Sequence, residues 1–234
     1  MSDRRRTRRI LLEIAVDSAS DAIAAADAGA DRIELCSRLD LDGLTPPATM
    51  IESVKRATRV PVMVMIRPRA GDFTCDEPEL AVMCRQIDES AKAGADGFVF
   101  GVIDAGGAID EATTRRLVER SGGRQTVFHR AFDRGSSLCD SLDVLLRLGV
   151  TRVLTSGGAS SAASESAIES LATLVKRAGK QIEILPGGGV RGVNARLIIE
   201  QTGCTQLHSS CREKGAASLS VELVQKLRAV CDAM

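Results

Sequence analysis

Four segments of the chain share one pattern, and together they decide the fold. They read ADAGADRIEL (26–35), AKAGADGFVF (91–100), LRLGVTRVLT (146–155) and IEQTGCTQLH (199–208). In each segment a helical end meets a glycine and a short polar step before an aliphatic strand begins. A glycine suited to the C-terminal end of a helix recurs at intervals of 65, 55 and 54 residues, at Gly29, Gly94, Gly149 and Gly203.

Further aliphatic runs complete a series of alternating strands and helices. The strand candidates lie near 10–15, 32–36, 61–66, 97–101, 125–129, 152–155, 181–185 and 205–209. Helical patterns follow them at 18–28, 47–58, 77–93, 110–120, 138–148, 162–178, 191–201 and 218–231. Eight such units predict a (β/α)₈ TIM barrel, a single domain over 10–234. The competing open doubly wound sheet usually has a Gly-rich turn after its first strand. Here that turn reads VDSAS (16–20) and contains no glycine.

Composition excludes several classes of partner. The net charge is zero, Trp and Tyr are absent, and Phe occurs five times, so a general nucleic-acid binder is not expected. Seven cysteines without a C-x-x-C pair fit the reducing cytoplasm. No apolar stretch is long enough for a membrane span. The basic stretch MSDRRRTRR (1–9) is predicted to be a disordered, solvated arm rather than a signal peptide.

Alternation along the predicted strands turns polar side chains into the barrel. Leu12 and Ile14 suit the outer face of the first strand, which places Glu13 inside, and the second strand similarly turns Glu34 and Cys36 inward. Arg67 and His129 follow later strands, and Glu183 lies on the seventh. Such charges balance one another either as a structural ion-pair network or as an active site, because the C-terminal strand ends form the active face of this fold.

The strand ends also define a candidate site at the barrel mouth. Three consecutive glycines after strand seven suit the binding of phosphate or carboxylate near a helix N-terminus. The candidate catalytic residues are Glu13, Glu34, Arg67, Asp72, His129, Asp133 and His208. The candidate anion-binding residues are Arg69, Arg130, Thr155, Ser156, Gly187, Gly188, Gly189, Ser209 and Ser210. No lysine lies on a strand end, so Schiff-base chemistry from a strand is not expected.

Several motifs of this chain resemble those of the CutC family, which is linked by name to copper homeostasis. The shared motifs are ADRIELC (30–36), GLTP (43–46), RPRAGDF (67–73), TVFHRAFD (126–133), RVLTSG (152–157), PGGGV (186–190) and HSS (208–210). The resemblance runs from about Ile10 to Glu213. It implies a cytoplasmic barrel, usually a homo-oligomer, with Cu(I) bound by cysteines that end the first two strands. Cys36 matches the second cysteine, whereas Ala15 stands at the first, and Cys211 is a weaker candidate for replacing it.

Three functions remain open at this point. The first is copper binding centred on Cys36. The second is an enzyme for a small phosphorylated or carboxylated metabolite, in which Arg67 and Arg69 hold the anion and His129, tuned by Glu13 or Glu34, acts as acid or base. The third is a binding or assembly scaffold without turnover. The expected ligand is small, either an anion or a copper ion.

Overall fold

Eight parallel strands form the wall of a nearly closed barrel in the computed structural model, which describes residues 9–234. They are β1 (Leu11–Val16), β2 (Arg32–Leu35), β3 (Val62–Met65), β4 (Gly97–Phe100), β5 (Gln125–Phe128), β6 (Arg152–Thr155), β7 (Glu183–Pro186) and β8 (Gln206–Ser209). Hydrogen bonding joins them in the order β7-β6-β5-β4-β3-β2-β1-β8, and β7 lies against β8. The predicted single-domain (β/α)₈ barrel is thereby confirmed.

Each strand is followed by a helix that covers the outside of the wall. The helices are α1 (Ala19–Asp27), α2 (Ala48–Ala57), α3 (Glu77–Lys92), α4 (Glu111–Arg120), α5 (Leu138–Arg147), α6 (Glu165–Ala178), α7 (Gly192–Thr202) and α8 (Val221–Asp232). Six of them begin after a Ser or Asp whose side chain accepts a hydrogen bond from a first-turn N–H group. Two short 3₁₀ turns, Leu39–Leu41 and Arg130–Arg134, follow β2 and β5 and were not predicted.

The barrel wall separates two apolar clusters of different size. Alternate strand residues point outward and join the helices in a large aliphatic core, which contains Leu12, Ile14 and Ile33. A smaller cluster fills part of the interior with Cys36, Met63, Met65, Val99, Val127, Leu154 and Leu185. The rest of the interior includes the buried polar residues Glu13, Arg32, Glu34, Arg152, Gln206 and His208, so the lumen has an apolar part and a charged part.

The predicted N-terminal arm lies outside the described residues except for Arg9, which is exposed and forms an ion pair with Asp31. Among the described residues, no helix combines the length and hydropathy that a membrane crossing requires.

Candidate functional site

A chain of buried polar side chains runs through the lumen. At its lower end Arg152 pairs with Glu183 and donates to the Gln206 side chain at 3.0 Å. Gln206 also accepts from Arg32 at 2.7 Å, and Arg32 forms an ion pair with Glu13. The predicted structural network therefore exists. Its cations differ from the prediction, because Arg32 faces Glu13 where Arg67 and His129 were expected to balance it.

The upper end of this chain is a group of three side chains, Glu13, Glu34 and His208, which we call the carboxylate–imidazole group. Register explains its formation, since Glu13 lies beside His208 across β1 and β8, and Ala15 lies beside Glu34 across β1 and β2. Nδ1 of His208 lies 2.8 Å from Oε1 of Glu13. Glu13 and Glu34 are at most 3% exposed and the His208 side chain is 11% exposed, and Oε2 of Glu34 has no hydrogen-bond partner among the described residues.

Electrostatics sets a different protonation preference for each member of the group. Burial alone raises the pKa of Glu13, but Arg32 and the bond from His208 outweigh it and hold that pKa well below its usual range. Burial raises the pKa of Glu34 to about 7 against the opposing charge of His208. Burial lowers the pKa of His208, yet the Glu34 and Glu13 carboxyls more than offset it and leave that pKa above its ordinary value.

The geometry of the carboxylate–imidazole group suits a metal ion. Each residue offers one ligand atom, and these atoms lie within 4.8 Å of one another. Carboxylate oxygens and an imidazole nitrogen are ligands for divalent first-row metals, whereas Cu(I) prefers thiolate and thioether sulfur.

A cavity of about 1000 Å³ opens above the group at the C-terminal strand ends. Nine predicted site residues line it, namely Glu34, His129, Arg130, Asp133, Gly188, Gly189, His208, Ser209 and Ser210. Glu13 is not among the residues that line the cavity, but it contacts His208, which does line it. The structure places these residues at the barrel mouth, as the strand ends predicted. Their individual roles stay predictions.

The predicted anion clamp of Arg67 and Arg69 lies beside this cavity rather than in it. The Arg67 guanidinium donates to the backbone oxygens of Leu41 and Gly71 at 2.8 and 2.9 Å, and its charge lies over the Phe73 ring. Arg69 pairs with Glu79 and with the exposed carboxylate of Asp72. Because these cations already have partners outside the mouth cavity, they hold the loop after β3 in place.

His129 also differs from its predicted setting. Its Nδ1 accepts a hydrogen bond from the Ala131 N–H at 3.2 Å. Burial and the positive charge of Arg67 lower the pKa of His129 to about 3. The expected tuning by Glu13 or Glu34 is wrong, because neither carboxyl contributes to this shift. With so low a pKa, the ring binds a proton too weakly to be an effective general base at pH 7.

Asp133 serves as an anchor for the loop after β6. Its carboxylate accepts from the Thr155 hydroxyl, from the Ser156 N–H and hydroxyl, and from the Gly158 N–H. Arg130 pairs with the same carboxylate. With this many donors, Asp133 has little remaining capacity for a ligand, and Thr155 and Ser156 point their hydroxyls at Asp133 rather than at an anion.

The glycines after β7 divide into two roles. Gly188 and Gly189 line the cavity with left-handed φ angles of 95° and 75°, a conformation that glycine adopts without strain. Gly187 instead allows close packing, because a Cβ there would lie 2.5 Å from the Leu154 side chain. The two serines at the end of β8, Ser209 and Ser210, both line the cavity, and Ser209 also donates its hydroxyl to the Val190 oxygen at 2.9 Å.

The two cysteines considered for copper lie in different parts of the barrel. Cys36 packs in the inner apolar cluster and donates its thiol to the Val16 oxygen at 3.3 Å. Cys211 is buried in the outer core, so it does not replace the thiol missing at Ala15. Burial raises the pKa of Cys36 far above its usual range, with Glu34 and Asp17 adding to the effect. A protonated, hydrogen-bonded thiol of this kind does not fit the Cu(I) pair that the resemblance implies.

Sequence reasoning missed three residues of the buried network: Arg32, Arg152 and Gln206. Each is a polar residue at the start of a strand. Polar residues between a helix and a strand are usually exposed to solvent, so their burial was not predicted. Alternation was an available signal for Arg32, since it lies two residues before the inward Glu34.

Comparisons with known proteins agree with one another. The model of the CutC family matches residues 10–213. The CutC family protein of Xanthomonas campestris pv. campestris (strain B100) is 40% identical over 208 residues, which cover 89% of this chain and 86% of that protein.

Two solved structures are similar to this chain, one in both sequence and fold and the other in fold alone. The crystal structure of CutC from Streptococcus agalactiae, whose name assigns it to copper homeostasis, superposes with a TM-score of 0.81 and 32% identity, covering 86% of this chain and 98% of the other. The thiamine phosphate pyrophosphorylase of Pyrococcus furiosus shares 15% identity at a TM-score of 0.66 over 97% and 98% of the two chains. That second likeness concerns the fold alone.

Proposed function

Because this chain belongs to the CutC family, we propose that it serves copper homeostasis in the cytoplasm by binding copper at the mouth of its barrel. The observation that carries this proposal is the convergence of Glu13, Glu34 and His208 within 4.8 Å. The buried Oε2 of Glu34 has no protein partner among the described residues, which makes it a candidate ligand atom for a cation.

The chemistry of the donors favours Cu²⁺ over Cu⁺. Among divalent first-row ions Cu²⁺ binds such sites most tightly, and oxygen and nitrogen ligands suit it. Cys36 offers a protonated thiol beside Ala15 and supplies no thiolate pair. Since a ligating imidazole must be neutral, copper binding at His208 releases a proton.

The other two expectations have less support. An enzyme for a phosphorylated or carboxylated metabolite is not favoured, because the family-level relatives are named for no reaction and the thiamine phosphate pyrophosphorylase shares only the fold. A homo-oligomer is proposed on the family resemblance alone.

Competition titrations with a metal chelator test the copper proposal directly. Cu²⁺ is titrated into the protein, and Cu⁺ is titrated anaerobically, with wild type, Glu34→Gln, Cys36→Ser and the exposed control Glu52→Gln. We expect Glu34→Gln to weaken Cu²⁺ binding by on the order of 100-fold. Cys36→Ser and Glu52→Gln are expected to leave it unchanged.

Electron paramagnetic resonance adds a readout that is specific for the ligands. Bound Cu²⁺ is expected to show coupling to a single imidazole, which His208→Ala abolishes. The proposal is contradicted if Cu⁺ binds more tightly than Cu²⁺ and Cys36→Ser removes that binding, or if neither ion binds with submicromolar affinity.

A further inference from the structure

The His129 ring is held in one orientation by its neighbours. Its Nδ1 accepts from the Ala131 N–H, and the Phe73 ring packs against it with the ring centroids 5.0 Å apart. On another side Gly101 provides the necessary space, because a Cβ at that position would lie 2.4 Å from Nδ1. The ring is 95% buried, so it has little freedom to turn.

These contacts determine which ring nitrogen carries the proton. A neutral imidazole donates through one nitrogen and accepts through the other, and Nδ1 of His129 is the acceptor. The proton therefore resides on Nε2. Within residues 9–234 no side chain or backbone group accepts a hydrogen bond from Nε2, although His129 lines the mouth cavity. An N–H group that faces the cavity without a protein acceptor can donate to a ligand or to water.

The cavity has room for more than an ion. Its volume of about 1000 Å³ matches the pockets of small organic ligands, which span roughly 300–1000 Å³. The carboxylate–imidazole group lies at the bottom of the cavity, on β1, β2 and β8. His129 stands at the end of β5, which is four strands away from β1 in either direction around the barrel.

Charged side chains of both signs line the two walls of the cavity. The loops after β1 and β2 contribute the acidic lining residues Asp17, Asp40 and Asp42. The turn after β5 contributes Arg130 and Arg134, and among the described residues Arg134 has no ion-pair partner. Asp17, Asp40 and Arg130 are each already in an ion pair, with Arg212, Arg38 and Asp133 respectively, so Arg134 is a lining cation whose charge remains available to an anionic ligand.

We propose that the mouth cavity binds a small organic acid whose carboxylate or oxo oxygen accepts a hydrogen bond from Nε2 of His129, with Arg134 attracting its negative charge. This ligand site is separate from the metal site proposed at Glu13, Glu34 and His208. It assigns His129 to ligand binding as a neutral donor and requires no bound copper.

Isothermal titration of the metal-free protein with oxalate and with pyruvate tests this site. The variants are His129→Phe, which keeps a flat ring but removes the donor, and His129→Gln, whose amide N–H restores a donor. We expect wild type to bind at least one acid, His129→Phe to lose about tenfold or more in affinity, and His129→Gln to recover part of it. The Glu52→Gln variant is the control and is expected to match wild type.

Nitrogen NMR of the His129 ring keeps the test decisive if a variant does not fold. In wild type we expect a protonated Nε2 whose resonance shifts when oxalate or pyruvate is added. The proposal is overturned if neither acid binds, if folded His129→Phe binds as tightly as wild type, or if Nδ1 proves to carry the proton. Because all measurements use metal-free protein, this outcome is independent of whether copper binds.

Discussion

The two histidines of the chain lie in the same cavity, but their surroundings drive them towards opposite charges. His208 faces Glu13 and Glu34, which raise its pKa and favour the imidazolium. His129 sits beneath Arg67 and against Phe73, and burial with that positive charge keeps its ring neutral. Both side chains are deeply buried. Burial lowers the pKa of both rings; the charge of Arg67 adds to this effect at His129, whereas the Glu34 and Glu13 carboxyls reverse it at His208.

This difference assigns the two walls of the cavity to different chemistry. The Glu13 and Glu34 carboxyls make the His208 wall favourable for a cation, whereas the His129 wall offers an N–H group to an oxygen. The dependence of each wall on one partner residue makes the comparison testable, because removing that partner should affect one wall and leave the other intact.

Replacing Arg32 is expected to have the largest effect on stability. Arg32→Met leaves His208 as the remaining partner of the buried Glu13 carboxylate, and breaking a buried ion pair costs about 3–5 kcal/mol. Urea unfolding at pH 7 measures the loss. The double variant Glu13→Gln/Arg32→Met should recover most of it, because no uncompensated charge remains. A loss below about 1 kcal/mol in Arg32→Met would show that the buried pair is not formed.

The second prediction concerns the pH dependence of the metal-free protein. The pKa of Glu34 rises from its ordinary 4.5 to about 7 on folding, so ionising Glu34 costs stability as pH increases through that window. Glu34→Gln removes this cost and should raise the free energy of unfolding by about 3 kcal/mol at pH 8. At pH 4, where the carboxyl is protonated in both states, variant and wild type should be nearly equal. Equal stability at both pH values would contradict the raised pKa.

The third prediction tests the packing of the other histidine. Gly101→Ala places a methyl group 2.4 Å from Nδ1 of His129 and should cost about 1–3 kcal/mol by forcing the ring to move. Gly192→Ala is the matched control, since the nearest atoms there lie at 3.6 Å and α7 begins at that residue. Thermal unfolding of both variants is the measurement. Equal stability of the two would show that the ring is not wedged against Gly101.

Alternation predicted the fold and much of the mouth from sequence alone. Glycines before four strands and the Leu12–Ile14 face were sufficient to turn Glu13 and Glu34 inward, since period-two patterning is a property of the strand itself. His208 was identified because it ends the last strand, and the structure places it against Glu13.

The same reasoning could not predict which charged residues pair with one another. Arg32 lies on β2 and Arg67 follows β3, but register places Arg32 beside Glu13, whereas loop backbone oxygens surround Arg67. Register between strands depends on how far each strand is shifted along its neighbour, and no local pattern records that shift. The same limit applied to Cys36, whose inward position was correct but whose thiol contacts the Val16 oxygen and not the cavity.

Nitrogen NMR of the two histidine rings between pH 4 and 9, first in metal-free protein and then with diamagnetic Zn²⁺, tests the division of the cavity most directly. We expect His129 to stay neutral with its proton on Nε2 throughout, and His208 to titrate above its ordinary pKa. Zn²⁺ should shift only the His208 resonances. The account is contradicted if both rings titrate together near pH 6.5, or if Zn²⁺ shifts the His129 ring and leaves His208 unchanged.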